Sequence, residues 1–383
     1  MNTRSVGVIM NGVTGRMGYR QHLVRSILAI RDQGGVTLRD GSRVIPEPVL
    51  VGRNAGKLSE IATRHGIDRW TTDLAGALAD PDLPIYFDAQ ATQVRVKAIT
   101  AAVEAGKHIY TEKPTALNLE EALELARLAR AAGVKTGVVQ DKLFLPGIRK
   151  LQRLVQSGFF GRILSVRGEF GYWVFEGDWQ PGQRPSWNYR LQDGGGIILD
   201  MFSHWSYVLH EVFGPVRSVN ALAVTHLPER WDERGVAYRA DADDAAYATF
   251  ELEGGIVAQI NSSWCTRVNR DELVEFHVDG THGSAVAGLR GCRVQQRSLT
   301  SMPVWDPDLP VTERFRDQWQ TVPDNEAFDN GFKVQWEGFL RHVIDGDPWT
   351  YDLLAGARGA QLAELGLASS AAGQRLEVQE LTL

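Results

Sequence analysis

Ser5-Val6-Gly7-Val8-Ile9-Met10-Asn11-Gly12-Val13-Thr14-Gly15-Arg16-Met17-Gly18 decides the fold of this chain. The first six residues have the length and composition of a buried strand. They run without a spacer into a turn carrying three glycines, and a helical stretch follows from Tyr19 to about Arg31. Strand, glycine turn and helix, in that order, are what a dinucleotide site needs. Small residues let the backbone approach a pyrophosphate, and the N–H groups at the helix N-terminus then stabilise its charge. The spacing is Gly-x-x-Gly-x-x-Gly rather than the commoner Gly-x-Gly-x-x-Gly. Gly12, Val13, Thr14, Gly15, Arg16 and Met17 are the expected pyrophosphate cradle.

Outward from that turn, Pro48-Val49-Leu50-Val51 reads as the second strand, after a polar stretch from Asp32 to Glu47 that reads as a surface excursion. Sites that prefer NAD place an Asp or Glu at the end of the second strand, on the ribose 2′-hydroxyl. Here Gly52-Arg53-Asn54 follows, with Lys57 one turn on. A cation there suits a 2′-phosphate, so Arg53 and Asn54 are expected cofactor contacts and NADP is favoured slightly over NAD.

Helical runs from Leu58 to His65, from Leu74, from Val94 to Ala105 and from Leu119 to Ala132 then alternate with apolar runs at 84–89, 108–110 and 134–140. Alternation of this kind implies a doubly wound parallel sheet with right-handed crossovers. Tyr110-Thr111-Glu112-Lys113-Pro114-Thr115 closes what reads as the fifth strand. A lone lysine is ordinarily a solvated surface group. Lys113 is different because Pro114 restricts it, and because it ends a strand at the sheet edge that carries the glycine turn.

Beyond Pro146 the pattern changes. A helix from Gly147 to Gln156 and a strand from Arg162 to Phe170 lead into a Gly/Pro-rich loop with Trp173, Trp179, Trp187 and Arg190. That density of aromatic and polar side chains suits a ligand surface, with a packed interface loop as the alternative. Gly194-Gly195-Gly196 then opens a helix on which Asp200 and His204 stand at i and i+4, on one face. A carboxylate beside an imidazole offers a proton acceptor and a group to orient it. Alternating segments at 219–225, 245–252, 256–264, 272–279 and 284–287 imply a mostly antiparallel sheet. Two helices, 325–345 and 353–372, are expected to return over the first domain. The expected division is 1–142 for the dinucleotide domain and 143–383 for the substrate and oligomerisation domain.

Bulk properties exclude several classes. A formal net charge of −6 gives no basic surface for nucleic acid. No apolar run approaches membrane-spanning length. Two cysteines, Cys265 and Cys292, are too few for a disulfide framework or zinc site, so no metal is expected and a reducing cytoplasm is. The 11 tryptophans suit core filling, and an excess of them also suits stacking on sugar C–H groups.

These motifs, in this order, resemble the glucose-fructose oxidoreductase / inositol dehydrogenase / rhizopine-catabolism (Gfo/Idh/MocA) family over nearly the whole chain. The Asp244-to-Trp264 strand pair and the Gly280-Thr281-His282-Gly283 turn belong to the resemblance as well. It implies a Rossmann domain followed by an α/β domain whose open sheet serves a homodimer or homotetramer. It also implies hydride transfer between NAD(P) and a secondary alcohol of a sugar or cyclitol. Lys113, Asp200 and His204 match the family's catalytic set. His204 would take the hydroxyl proton, Lys113 would polarise that oxygen near the cofactor, and Asp200 would bind substrate. Glu112 and Lys113 are implied as cofactor contacts, and Trp173 and Trp187 are expected to line the substrate pocket with Lys113, Asp200 and His204. Many members carry Asp three positions after the motif histidine, where this chain has Tyr207. Two rival readings are a member that oxidises transiently and recycles a tightly held cofactor, and a dinucleotide sensor without turnover. Lys113, Asp200 and His204 together argue against the sensor.

Overall fold

The computed structural model describes residues 3–383, which form two compact units. Residues 3–144, 329–361 and 380–383 make up the first, and residues 145–328 and 362–379 the second.

The first unit is built on a seven-stranded sheet. Its strands are β1 (Thr3–Asn11), β2 (Val36–Thr37), β3 (Arg43–Val51), β4 (Trp70–Thr71), β5 (Ile85–Asp88), β6 (His108–Thr111) and β7 (Thr136–Val138). They run in the order β2-β3-β1-β5-β6-β7, with β4 paired to β3. All pairs are parallel except β2 with β3. The register aligns Asn11 with Asp88 and Asp88 with Thr111, so the glycine turn and Lys113 leave the sheet at one edge. Lys113 follows the sixth strand in chain order rather than the fifth, because short strands were not legible in the sequence.

The crossovers are a π-helix (Gly18–Leu28) continuing into α1 (Ala29–Asp32), then α2 (Ala55–His65), α3 (Leu74–Ala79), α4 (Thr92–Glu104) and α5 (Leu119–Ala131). Strand β1 is apolar on both faces, and each face has its own core. Val8 and Met10 pack with Leu23, Ile27, Phe87 and Trp336, while Ile9 packs with Tyr86, Ile99 and Leu125. Each such side chain contributes roughly 1.5–3 kcal/mol on burial.

The stretch from Asp32 to Glu47 is not a surface excursion. It holds β2 and the first half of β3, with Val36, Leu38 and Val44 buried against the π-helix core. Its polar residues lie between those three, which hid the periodicity.

The second unit contains α6 (Pro146–Gln156), α7 (Ile197–Phe213) and a nine-stranded sheet. In chain order its strands are β8 (Ile163–Gly171), β9 (Val216–Val224), β10 (Glu229–Trp231), β11 (Ala237–Arg239), β12 (Ala245–Leu252), β13 (Val257–Ser263), β14 (Val274–Gly280), β15 (Gly283–Ala287), β16 (Cys292–Gln296), β17 (Gln320–Thr321) and β18 (Leu376–Glu377). The large sheet runs β17-β16-β15-β14-β8-β13-β12-β9-β18, and β10 with β11 forms a separate hairpin. Only β8 with β13 is parallel, so the sheet is mostly antiparallel.

Of the two late helices, α9 (Leu353–Ala372) has the expected bounds, whereas α8 (Gly331–Asp345) starts later than 325. Asn330 sets that start: its side-chain oxygen accepts from the N–H groups of Phe332 and Lys333. Among the described residues, no helix is long and apolar enough to cross a membrane.

Candidate functional site

At the end of β1 the chain turns through Gly12, whose φ is +91°. A Cβ there would lie 2.6 Å from the Ala89 carbonyl carbon, and one at Gly18 would lie 2.5 Å from the Gly12 oxygen. Both positions exclude any side chain, and the turn stays pressed against the sheet edge. This is a cradle that a Cβ would fill, and it suits a pyrophosphate above the start of the helix. Gly15 is less constrained; its N–H donates to the Gly12 carbonyl at 3.1 Å. Arg53 stands exposed just past β3. Asn54 caps α2, its side chain accepting from the Lys57 N–H at 3.0 Å.

Lys113 is held from both sides. On its N-terminal side, Glu112 is buried and its Oε2 accepts the Lys113 N–H at 3.1 Å. The Glu112 Oε1 takes a 2.8 Å hydrogen bond from His22. Burial disfavours the Glu112 carboxylate, while the His22 hydrogen bond and the charges of Lys113 and Arg95 favour it. On the other side, the Lys113–Pro114 peptide is cis and Arg95 donates to the Pro114 carbonyl. Arg95 is itself buried, bonded to Asp88 at 3.1 Å and to the Gln90 carbonyl at 2.6 Å. Asp88 also accepts from Tyr86 at 2.7 Å, and Asn11 donates to that tyrosine oxygen at 2.9 Å. One buried network thus ties together the ends of β1, β5 and β6.

In the second unit, Gly196 (φ +121°) gives entry to α7. A Cβ there would meet Asp243 at 2.4 Å. Asp243 accepts from the Ile198 N–H at 2.8 Å, and its own carbonyl accepts from Ile197 at 2.9 Å. It supplies an N-terminal cap from a distant strand end. Burial pushes its carboxyl up to about 6, against those backbone hydrogen bonds, with Asp244 adding to the rise. A carboxyl raised in the fold binds its proton more tightly there than in the unfolded chain. Its contribution is therefore present below the ordinary carboxylate range and is lost as pH rises through about 6. Asp243→Asn is expected to flatten that slope, with a difference of up to roughly 3 kcal/mol between pH 4 and 7. Thermal melts across that range check it, and parallel pH profiles for the two proteins would rule out this role for Asp243.

Asp200, in the first turn of α7, accepts from Arg184 at 3.2 Å. Arg184 also donates to Tyr172 and to Asn188, each at 3.2 Å, and stacks 4.2 Å above the Trp264 ring. His204 is buried, and its Nδ1 lies 2.7 Å from the Tyr207 hydroxyl. Tyr207, the departure from the family pattern, thus touches the motif histidine. Trp187 and Asn188 lie along the glycine turn, with the Gly196 N–H donating to the Asn188 carbonyl at 2.9 Å. Trp187 is 50% exposed. Trp173 has one ring face covered by the Arg267 guanidinium at 4.0 Å. Arg190 stacks on Tyr238 at 4.5 Å.

The structure therefore groups Glu112 and Lys113 with the glycine turn, and Asp200 and His204 with the aromatic loop. Sequence reasoning did not find Arg184, His22, Arg95 or Trp336. Arg184 lay inside the loop singled out for its composition; the other three carried no local signal.

A parallel sheet with a glycine cradle and a lysine at one edge defines a dinucleotide-binding oxidoreductase. Residues 9–140 match the model of an oxidoreductase family with an NAD-binding Rossmann fold, and residues 148–286 match the GFO/IDH/MocA C-terminal domain. The chain is 62% identical to a D-xylose dehydrogenase of Paenarthrobacter nicotinovorans, over 100% of this chain and 99% of that protein. It is 27% identical to a 1,5-anhydro-D-fructose reductase of Ensifer adhaerens, covering 84% and 89% of the two chains. Levoglucosan dehydrogenase in complex with NADH has the same fold, with a TM-score of 0.81, 21% identity and coverage of 99% and 100%. The chain belongs to the GFO/IDH/MocA oxidoreductase family.

Proposed function

We propose that this enzyme is a sugar dehydrogenase whose substrate is D-xylose or a pyranose of the same configuration, oxidised at one ring CH–OH. The observation that carries this reading is the 62% identity to a D-xylose dehydrogenase over both chains' length. When bound, the nicotinamide supplies the hydride acceptor. As the C–H bond breaks, the substrate oxygen gains alkoxide character. The Lys113 ammonium stabilises that charge, and His204 receives the hydroxyl proton. Asp200, braced by Arg184, accepts a hydrogen bond from a sugar hydroxyl, while Trp187 and Trp173 pack against C–H groups. Gly12 to Met17 hold the pyrophosphate, with Arg53 and Asn54 at the adenosine end and Glu112 fixing the end of β6.

NADP is the better cofactor in this reading, because Arg53 stands where an NAD site would carry an acid. The enzyme is a homodimer or homotetramer. The observation favouring this is that Leu222, Tyr247 and Val257 are exposed on the large second sheet.

The test is cofactor reduction followed at 340 nm, with NAD and NADP each offered to D-xylose, other pentoses, hexoses, anhydrosugars and inositols. Turnover is expected with D-xylose, at a higher kcat/KM with NADP. Arg53→Ala is expected to lower kcat/KM about tenfold with NADP and less than about twofold with NAD. Absence of turnover with every sugar would overturn the substrate reading. Equal loss with both cofactors would overturn the role of Arg53.

A further inference from the structure

We propose that His22 and Trp336 are positioning residues for Lys113, acting through Glu112 by a directed chain of buried hydrogen bonds. This rests on the reading of Lys113 as the group that stabilises the substrate oxygen.

The direction of the chain follows from its first member. The indole Nε1–H of Trp336 can only donate, and it lies 3.0 Å from His22 Nδ1. Nδ1 must therefore accept, and a neutral imidazole then carries its proton on Nε2. That nitrogen is 2.8 Å from Glu112 Oε1, to which it donates. The other carboxylate oxygen accepts the Lys113 N–H at 3.1 Å. Each donor meets an acceptor only if His22 is neutral with its proton on Nε2. The opposite tautomer would set Nδ1–H against the indole N–H and a lone pair against a carboxylate. His22 and Trp336 are both 0% exposed and Glu112 7%, so water cannot substitute for a missing partner at low cost.

The surroundings hold the rings as well as the bonds. The His22 ring lies 4.3 Å from that of Phe87 and meets Phe332 and Trp336 edge-on. Trp336 in turn packs on Tyr110, the residue two before Glu112, at 4.3 Å. The segment carrying His22 is the π-helix Gly18–Leu28, which begins at the last glycine of the cofactor turn. A π-helical turn holds one more residue than an α-helical one and is frequent at functional sites. In this chain it carries the imidazole between α8 and the end of β6. The cofactor turn and the Lys113 loop are thereby braced by a single side chain.

The direct test is the nitrogen spectrum of the whole protein labelled with 15N-histidine. His22 is expected as the neutral tautomer protonated on Nε2; a cation or the Nδ1–H form would overturn the chain. Three variants then read function. Trp336→Phe removes the indole donor together with part of the buried ring, and His22→Leu removes the link. Each is expected to lower kcat about ten- to a hundredfold with KM for the dinucleotide within about twofold, as for a misplaced catalytic group. His22→Gln, whose amide can still donate to Glu112, is expected to recover part of that loss. Wild-type kcat in folded His22→Leu would overturn the proposal. Lys113→Ala, run alongside, separates the two readings. Turnover retained there removes the role of Lys113, whereas its loss beside an active His22→Leu removes the positioning role alone.

Discussion

Lys113→Ala is expected to lower kcat/KM by about 10² to 10³ while leaving dinucleotide binding nearly unchanged. The charge that develops on the substrate oxygen needs a cation fixed in advance, since reorganising one during the reaction would forfeit most of the gain. The backbone on either side of Lys113 is fixed independently of its side chain. Glu112 holds its N–H and Arg95 holds the carbonyl of Pro114. Alanine therefore removes the ammonium and leaves the loop in place, so the loss falls on the chemical step. Lys113→Arg is not expected to restore it, because a planar fork cannot replace a compact ammonium. Thermal melts establish folding, dinucleotide fluorescence titration gives the binding constant, and single-turnover absorbance gives the hydride step. A single-turnover rate within about threefold of wild type would end the assignment.

His204→Asn should reduce kcat by about 10² to 10⁴, the usual range for a lost proton acceptor. His204 is buried in α7 with Nδ1 against the Tyr207 hydroxyl at 2.7 Å. If the histidine donates from Nδ1, Nε2 presents the lone pair that takes the substrate proton. Asparagine can still meet Tyr207 but has no lone pair of comparable basicity, so it keeps the contact and loses the base. Substrate and cofactor KM should move little. Such a split marks an interaction made in the transition state rather than in the ground state. A rise in KM for sugar at constant kcat would instead make His204 a binding residue.

What was legible in the sequence depended on short-range patterns. The run Ser5–Met10 followed by a glycine turn is local, so β1, the turn and the helix after it could be read directly. The same holds for the strand before Lys113 and for Asp200 and His204 at i and i+4. Family order then linked these motifs, as no single one of them could. Short pieces escaped: β2 and β17 have two residues each and pair only because longer strands lie beside them.

The supports of the site were out of reach for the same reason. His22 is 90 residues from Glu112 and 314 from Trp336. Nothing near His22 indicates that its imidazole will be buried with one donor and one carboxylate as partners. Asp243 likewise caps a helix 45 residues earlier in the chain. Periodicity and turn chemistry act between neighbours, so the sequence by itself determined the longer strands, the glycine turn after β1 and the helix that carries Asp200 and His204. The satisfaction of buried polar groups depends on which distant segments share an interior. Tertiary structure alone therefore decided that His22 is the partner of Glu112 and that Asp243 caps α7.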